Sequence, residues 1–461
     1  MSGLQSATDE IVAGFEVNDE SLKTMVEHFI WATEHGLRHH TDLGMPMIPT
    51  FVTSVPTGRE QGTFLAIDLG GTNVRVCSVK LNGDSTYDIQ QEKAAVPHEL
   101  MVGHSIEFFD YMAAQLEAFL KKHHGEHLAR EGEERFKMGF TFSFPVDQTS
   151  LNRGTLIRWT KGFDIKDAVG QDVCLLLQNA IDRRKLPVHV AALVNDTVGT
   201  LMSRSYTKAR EGHTLVGCIF GTGTNGAYSE RIKAIPKFDR AAHPEVTQKI
   251  MVINTEWGSF DNRLLKIPST RFDVALNELT PNRGYHMFEK RISGMFLGEL
   301  LRLVLAELRD SGLLFSDQGN GNGKLDTPWS LDTSVPSLID GDVSSGLVET
   351  ERIVQTYLGF TTSADERAQI QRLAKAIGRR SARLSSIPLA GLILHTKAME
   401  KFEGDVDIGA DGSVVQFYPN FEKMVREALV ATLGPDAASR VCLGIAKDGS
   451  GVGAALCALV A

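Results

Sequence analysis

The segment Thr63-Phe-Leu-Ala-Ile-Asp-Leu-Gly-Gly-Thr-Asn-Val-Arg-Val is echoed far downstream by Thr214-Leu-Val-Gly-Cys-Ile-Phe-Gly-Thr-Gly-Thr-Asn-Gly-Ala. Each reads as an apolar strand, a Gly/Thr/Asn turn and a second strand. Two such hairpins suggest a chain of two related halves, each placing a backbone-rich turn in the cleft between them. Chance similarity of two turns is the competing reading, because Gly-Thr-Asn clusters are common hairpin chemistry.

The rest of the pattern agrees with an α/β protein. Three short apolar strands, Thr63–Asp68, Met138–Ser143 and Val188–Val194, each leave into a polar or Gly-rich corner, with amphipathic helices at Ser105–Lys122 and Asp172–Arg184 between them. That alternation predicts a mixed sheet. A second strand group, Thr214–Phe220 and Ile250–Asn254, precedes a helical stretch from Met287 to Leu308. Gln318–Asn322 and Thr327–Gly346 are rich in Gly, Ser, Pro and Asp and read as surface loop or linker. From Ala364 the spacing of Ile370, Leu373, Ile377 and Leu384 predicts a long amphipathic helix, and Ile387–Leu394 a further buried segment. Asp411-Gly412-Ser413 reads as a hairpin turn before Val414–Tyr418, and Phe421–Leu433 as a helix. The turn Lys447–Gly451 opens a small-residue helix, Val452–Val460.

A chain of 461 residues is long for one domain. A net charge of −9 argues against a nucleic-acid or anionic-membrane surface, since phosphates attract clustered Lys and Arg. The five cysteines, Cys77, Cys174, Cys218, Cys442 and Cys457, have no metal-ligand spacing, and each lies in or beside an apolar run, so all five are expected to be buried thiols. His39-His40 and His123-His124 read as polar surface pairs and not as a metal site. Met295–Leu308 is the greasiest helix candidate, but Glu299, Arg302 and Glu307 make it a core helix and not a membrane span. An odd cysteine count and a start resembling neither a secretory nor a transit peptide lead to an expected location in the cytosol.

Chemistry gathers at the strand ends. Asn195-Asp196-Thr197 follows Val188–Val194, after Trp159-Thr160-Lys161-Gly162-Phe163 and before Gly221-Thr222-Gly223-Thr224-Asn225. One carboxylate, one lysine and two amide side chains thus sit with a Gly-rich loop where α/β proteins build their sites. Phosphate needs donors that approach without a Cβ in the way, and Asp68-Leu-Gly70-Gly71-Thr72-Asn73 supplies them. Its carboxylate precedes the turn and is placed to hold Mg²⁺ directly or through water. Gly221-Thr222-Gly223-Thr224 repeats the loop without the acid, and Asp448–Gly451 forms a third candidate anion turn. None is a Walker loop and none fits GxGxxG, and each taken singly is an ordinary turn.

The ordered motifs resemble the hexokinase family of sugar kinases, of the single-unit fungal glucokinase type. The resemblance runs from Met45-Pro-Met-Ile-Pro-Thr-Phe-Val through Phe142-Ser-Phe-Pro145, Thr155–Phe163, Asn195–Gly199, Asn254-Thr-Glu-Trp-Gly-Ser-Phe260, Phe288-Glu-Lys290 and Ala446–Gly453. It implies an actin-like (ribonuclease H-like) ATPase fold of two lobes, with ATP between them, the sugar at the bottom of the cleft, and closure when sugar binds. The implied divisions are an N-terminal helical segment, 1–61, packing on the large lobe; a small lobe, 62–197; a large lobe, 198–442; and a C-terminal turn and helix, 443–461, returning to the small lobe. Asp196 matches the catalytic base. Asn195, Thr160, Lys161, Asn225, Glu256 and Glu289 match the sugar ligands, with Ser143 lining the site and Lys161 also placed to offset charge on the transferring phosphoryl group. Asp68, Gly70, Gly71, Thr72, Asn73 and Arg75 match the first phosphate loop, and Gly221, Thr222 and Gly223 the second. Asp448, Gly449, Ser450 and Gly451, with Thr333 and Ser337, match the nucleotide end. The implied reaction is phosphorylation of glucose at its 6-hydroxyl by ATP with Mg²⁺, the first step of glycolysis, with glucose and ATP as the partners. A broader hexokinase also using fructose and mannose, a catalytically idle sugar sensor, and an actin-like or chaperone ATPase are the other readings.

Overall fold

The computed structural model describes residues 3–41, 44–70, 72–128, 135–159, 162–208, 213–316, 318–446 and 448–461. Both echoed segments form hairpins, and each hairpin nucleates its own sheet. After the short edge strand β1 (Ile48–Pro49) come β2 (Gln61–Gly70) and β3 (Asn73–Asn82), paired antiparallel from Gln61↔Asn82 to Gly70↔Asn73. With β4 (Tyr87–Ala95), β5 (Phe136–Phe142) and β8 (Val188–Val194) they make a sheet of order β4-β3-β2-β5-β8, in which β2, β5 and β8 run parallel. β6 (Val146–Ser150) and β7 (Arg153–Leu156) form a separate ribbon. The second hairpin, β9 (His213–Phe220) and β10 (Thr224–Arg231), joins β11 (Ile250–Asn254), β12 (Val406–Asp411) and β13 (Val441–Ile445) in the order β1-β11-β10-β9-β12-β13.

Burial divides the molecule into layers. The outer face of the first sheet packs under the helices Ser105–His123 and Val173–Arg183, burying Phe108, Met112, Leu116 and Leu177 with Phe140 and Val190. Asp172 caps the second of these helices, its carboxylate accepting from the amides of Cys174 and Leu175 at 2.9 and 3.1 Å. The outer face of the second sheet is covered by a larger core that includes the helices Gly3–Phe15, Asp19–Arg38, Ala364–Thr396 and Phe421–Leu433. Between the two sheets lie two helices, Asp196–Lys208 and Gly449–Leu459, whose small and apolar residues fill a third core with Ala66, Val79, Ala192 and Val252.

Those two inner helices touch backbone to backbone. A Cβ on Gly453 would fall inside the envelope of the Gly199 carbonyl, and one on Gly199 would sit 2.6 Å from the oxygen of Gly449. Arg204 then ties the first helix to β12, its Nε 2.8 Å from Asp407 Oδ2, which also accepts from the Thr214 hydroxyl at 2.9 Å.

Several expectations need correction. The stretch from Met287 to Leu308 is two helices, Glu289–Ile292 and Gly294–Asp310, because the Gly294 amide leaves the helical ladder to donate to the Gly221 carbonyl at 2.8 Å. The loop at Thr327–Gly346 contains a helix, Ser334–Asp340, held by buried Val335 and Ile339. Ala364–Thr396 is one helix continuing through Pro388, since burial on all sides offsets the lost hydrogen bond. Asp411-Gly412-Ser413 is not a hairpin turn: β12 ends at Asp411 and a helix starts at Ser413. Cys442 is only partly buried, whereas the other four thiols are buried. Among the described residues, no helix is long and apolar enough to cross a membrane. Glu299 and Arg302 instead pair inside the core at 2.6 Å.

Overpacking at the inner-helix crossing has no room to relax. Gly453→Ala is expected to cost at least about 2 kcal/mol in denaturant unfolding. Gly125→Ala, where no atom lies within 4 Å of the new methyl, is expected to change stability by less than about 0.5 kcal/mol.

Candidate active site

Strand register decides which residues meet. Asp68 of β2 stands opposite Thr141 of β5, which stands opposite Val194 of β8. The carboxyl-terminal ends of three parallel strands therefore deliver Gly70, Ser143 and the Asn195-Asp196 pair to one edge of the sheet. In the second sheet, Asp411 pairs with Ile219 and Ala410 with Ile445, bringing the Gly221–Gly223 turn, Gly412 and the Asp448 turn to a corresponding edge.

The two edges are tied together by charge. Arg75 Nη2 donates to Asp68 Oδ2 at 3.1 Å and to the Ser450 hydroxyl, while its Nη1 lies 3.7 Å from Asp448. Ser450 donates in turn to Asp68 Oδ2 at 2.9 Å, and the Thr141 hydroxyl donates to the Ser450 carbonyl at 2.8 Å. Beside this knot a cavity of about 470 Å³ is lined by Asp68, Gly70, Asn73, Arg75, Gln91, Glu92 and Lys93. Among the described residues no three His, Cys, Asp or Glu side chains cluster as a metal cage. Asp68 and Glu92 are the carboxylates of that cavity, a sparse donor set that suits Mg²⁺, which keeps most of its waters and takes few protein ligands.

A second cluster forms where β10 begins and β11 ends. Asn225 Nδ2 donates to Asn254 Oδ1 at 2.8 Å and to Glu256 Oε1 at 3.0 Å, and Asn254 Nδ2 reaches the same Glu256 oxygen at 2.8 Å. Glu289 Oε2 accepts the Thr224 amide at 2.9 Å, and Glu289 Oε1 lies 3.3 Å from His286 Nδ1. Glu256 takes a left-handed conformation, φ 51°, a strain typical of functional sites. Its neighbour Trp257 turns its buried indole beneath Gly226, where any Cβ would collide with the ring, and donates to the Thr224 hydroxyl at 2.9 Å. Burial pushes the Glu256 carboxyl above its ordinary range, against the pull of the Asn254 and Asn225 hydrogen bonds. The Glu289 hydrogen bond raises His286.

The helix starting at Asp196 packs on β9, β10 and β11. Asn195 Oδ1 accepts the Thr197 amide at 3.0 Å and its hydroxyl at 2.6 Å, capping that helix and fixing the direction of the side-chain amide. Thr333 donates to the Gly294 carbonyl beside the Gly221 turn, and Ser337 lies a turn further along the same helix. Gly71, Thr160, Lys161 and Lys447 lie outside the described residues.

The chain is similar to known proteins over nearly its whole length. Two hexokinase family models match residues 7–206 and 215–460. Glucokinase-1 of Saccharomyces cerevisiae is 47% identical over 99% of this chain and 97% of its own length. The glucokinase of Aspergillus niger is 46% identical over 100% and 98%. The chain belongs to the hexokinase family.

It is a kinase, and its fold is the two-lobed actin-like ATPase fold of hexokinases. The structure of the hexokinase from Schistosoma mansoni complexed with glucose superimposes with a TM-score of 0.83 at 32% identity, covering both chains completely. Within this hexokinase fold, sequence reasoning overlooked three residues that the structure places at the edges. Asn254 bridges Asn225 to Glu256. Gly412 abuts Gly221, its nearest heavy atom 3.2 Å from a Cβ built there. His286 stands three residues before Glu289, a helical spacing visible in the sequence.

A carboxyl whose folded pKa lies above its unfolded value favours the fold as pH falls through the folded value and penalises it above. Glu256→Gln, which keeps the accepting oxygen for both asparagines, is therefore expected to gain about 0.5–2 kcal/mol at neutral pH. The gain should shrink as pH falls through the raised Glu256 value, as thermal melts across pH would show.

Proposed function

We propose that this chain transfers the γ-phosphoryl group of ATP to the 6-hydroxyl of glucose, giving glucose 6-phosphate. The observation carrying this reading is the cluster of Asn225, Asn254, Glu256 and Glu289 on β10, β11 and the segments after them, the helix that starts at Asp196 packing on those same two strands. These are directional acceptors and donors suited to a polyhydroxylated ring. The full-length identity to two fungal glucokinases supports glucose as the sugar.

In this reading Asn195, its oxygen committed to Thr197, offers its amide hydrogens to a sugar hydroxyl, with Thr160, Lys161, Asn225, Glu256 and Glu289 as further ligands and Ser143 lining the pocket. Asp196 accepts the 6-hydroxyl proton late in the reaction, since an alcohol is a far weaker acid than a carboxylic acid. Most of the catalytic effect comes from positioning and charge stabilisation. The turns at Gly70–Asn73 and Gly221–Gly223, with Arg75 and Lys161, face the phosphates. Asp448–Gly451, Thr333 and Ser337 serve the nucleotide end. Asp68 would hold Mg²⁺ through water, and the ion would neutralise phosphate charge. Water is smaller than glucose and would react wastefully, so we assign sugar contacts the further task of driving closure of a small lobe, 62–197, on a large lobe, 198–442. Segment 1–61 then belongs with the large lobe, and 443–461 returns to the small one. The reaction opens glycolysis, and we place it in the cytosol.

Asp196→Asn keeps the shape and loses the base, so kcat is expected to fall at least about 10²-fold while glucose KM changes far less. Near wild-type turnover in a coupled assay would remove Asp196 from the mechanism. Across a sugar panel, kcat/KM should rank glucose, then mannose, then fructose, with fructose about 10–10³-fold below glucose because the wrong ring leaves buried acceptors unpaired. Equal values for fructose and glucose would instead identify a general hexokinase.

A further inference from the structure

His286 stands beside Glu289 and within electrostatic reach of Glu256, the two carboxylates assigned above to the sugar. Its Nδ1 lies 3.3 Å from Glu289 Oε1, its ring is 31% exposed, and Glu289 is 21% exposed. Glu256 acts on the same ring from the turn before Trp257, and Lys290 acts on it from the neighbouring helix. Gly258 in that turn brings the backbone close enough that a Cβ there would lie 3.2 Å from His286 Nδ1. His286 is itself held in a left-handed conformation, φ 53°, by the Lys290 amide donating to its carbonyl at 3.0 Å and by the next amide, of Met287, donating to Asn262 at 3.0 Å. The imidazole is thus built into the site and does not reach it by chance of rotamer.

A sugar seated on Glu256 and Glu289 excludes water from both carboxylates. Two neighbouring anions losing solvent together is unfavourable unless a positive group stays with them. Lys290 is an unsuitable counter-charge, because its ammonium is turned away to Asn277 Oδ1 and the Asn282 carbonyl at 2.9 and 2.8 Å. We propose that His286, as its imidazolium, is the counter-charge that allows the Glu256–Glu289 pair to be sealed under a bound sugar, so that sugar binding takes up a proton from solvent. It is a positioning residue, acting through Glu289. The neutral ring keeps an N–H for Glu289 but loses the charge. The Glu289 hydrogen bond and the charges of Glu289 and Glu256 raise His286 against the opposing effect of burial, and excluding water strengthens that attraction. Sugar affinity is therefore full below the His286 pKa and declines as pH rises through it.

This inference rests on the sugar-kinase reading, and calorimetry separates the two. Glucose is titrated into the full chain at about pH 7.5 in phosphate and in Tris, whose heats of ionisation differ, and glucose KM is measured from about pH 6 to 9. Wild type should show a buffer-dependent binding heat equivalent to uptake of a fraction of a proton. Its KM should rise about three- to tenfold over that range, the effect of a binding-linked pKa rise of about half to one unit. His286→Gln should abolish the buffer dependence and flatten the KM profile near the wild-type high-pH value. His286→Asn, which tolerates the left-handed backbone, provides the same comparison if the glutamine variant melts early. Glucose binding with no proton uptake in wild type, or uptake retained in either variant, would overturn the proposal. Absence of both glucose binding and phosphorylation would instead overturn the kinase reading.

Discussion

Everything in this molecule hangs on the crossing of two helices that have almost no side chains where they meet. Gly199 and Gly453 bring the backbones of the helices Asp196–Lys208 and Gly449–Leu459 into direct contact, and the two sheets lie on either side of that pair. A larger residue at either position would spread the sheets. The strand edges carrying Asp68 on one side and the Asp448 turn on the other would then no longer meet through Arg75 and Ser450. The same two helices begin at site residues, Asp196 and the turn after Asp448, so the spacing of the core sets the spacing of the site.

The site itself works against stability. Glu256 is strained in its backbone and raised by burial, and it is retained beside a second carboxylate, Glu289. The buried pair of Arg380 and Asp273 is the opposite case: Arg380 meets both oxygens of Asp273 at 2.7 and 2.8 Å, and Asp273 is held down to about 2 with Arg380 and Arg291 beside it. Asp273 is buried with two arginines beside it, whereas Glu256 is buried with amide donors, one histidine and a second carboxylate.

Much of the fold was legible because its signals are local. The Gly/Thr/Asn turns, the strand Val188–Val194 and the helix Phe421–Leu433 are written in contiguous residues, and the structure returns the latter two at the expected bounds. What misled the reading was tertiary. Pro388 does not end its helix, because the residues around it are buried on all sides. Gly294 interrupts a helix because a loop more than seventy positions earlier in the chain claims its amide. Gly412 leads into a helix at Ser413 instead of a hairpin, because β12 has a parallel neighbour on each side and no antiparallel return is open to it.

The sequence by itself determined that two related hairpins exist, which carboxylates, amides and glycine turns lie at strand ends, and which family those motifs resemble. Only the tertiary structure decided which of those ends share an edge, that Asn254 and His286 join Asn225, Glu256 and Glu289, and that Arg75 clasps Asp68 to Ser450 and lies beside Asp448. The reason is range. Turn and strand preferences arise from dihedral angles and side chains within a few residues, whereas strand order and helix crossing arise from packing between segments hundreds of residues apart, to which no local pattern responds.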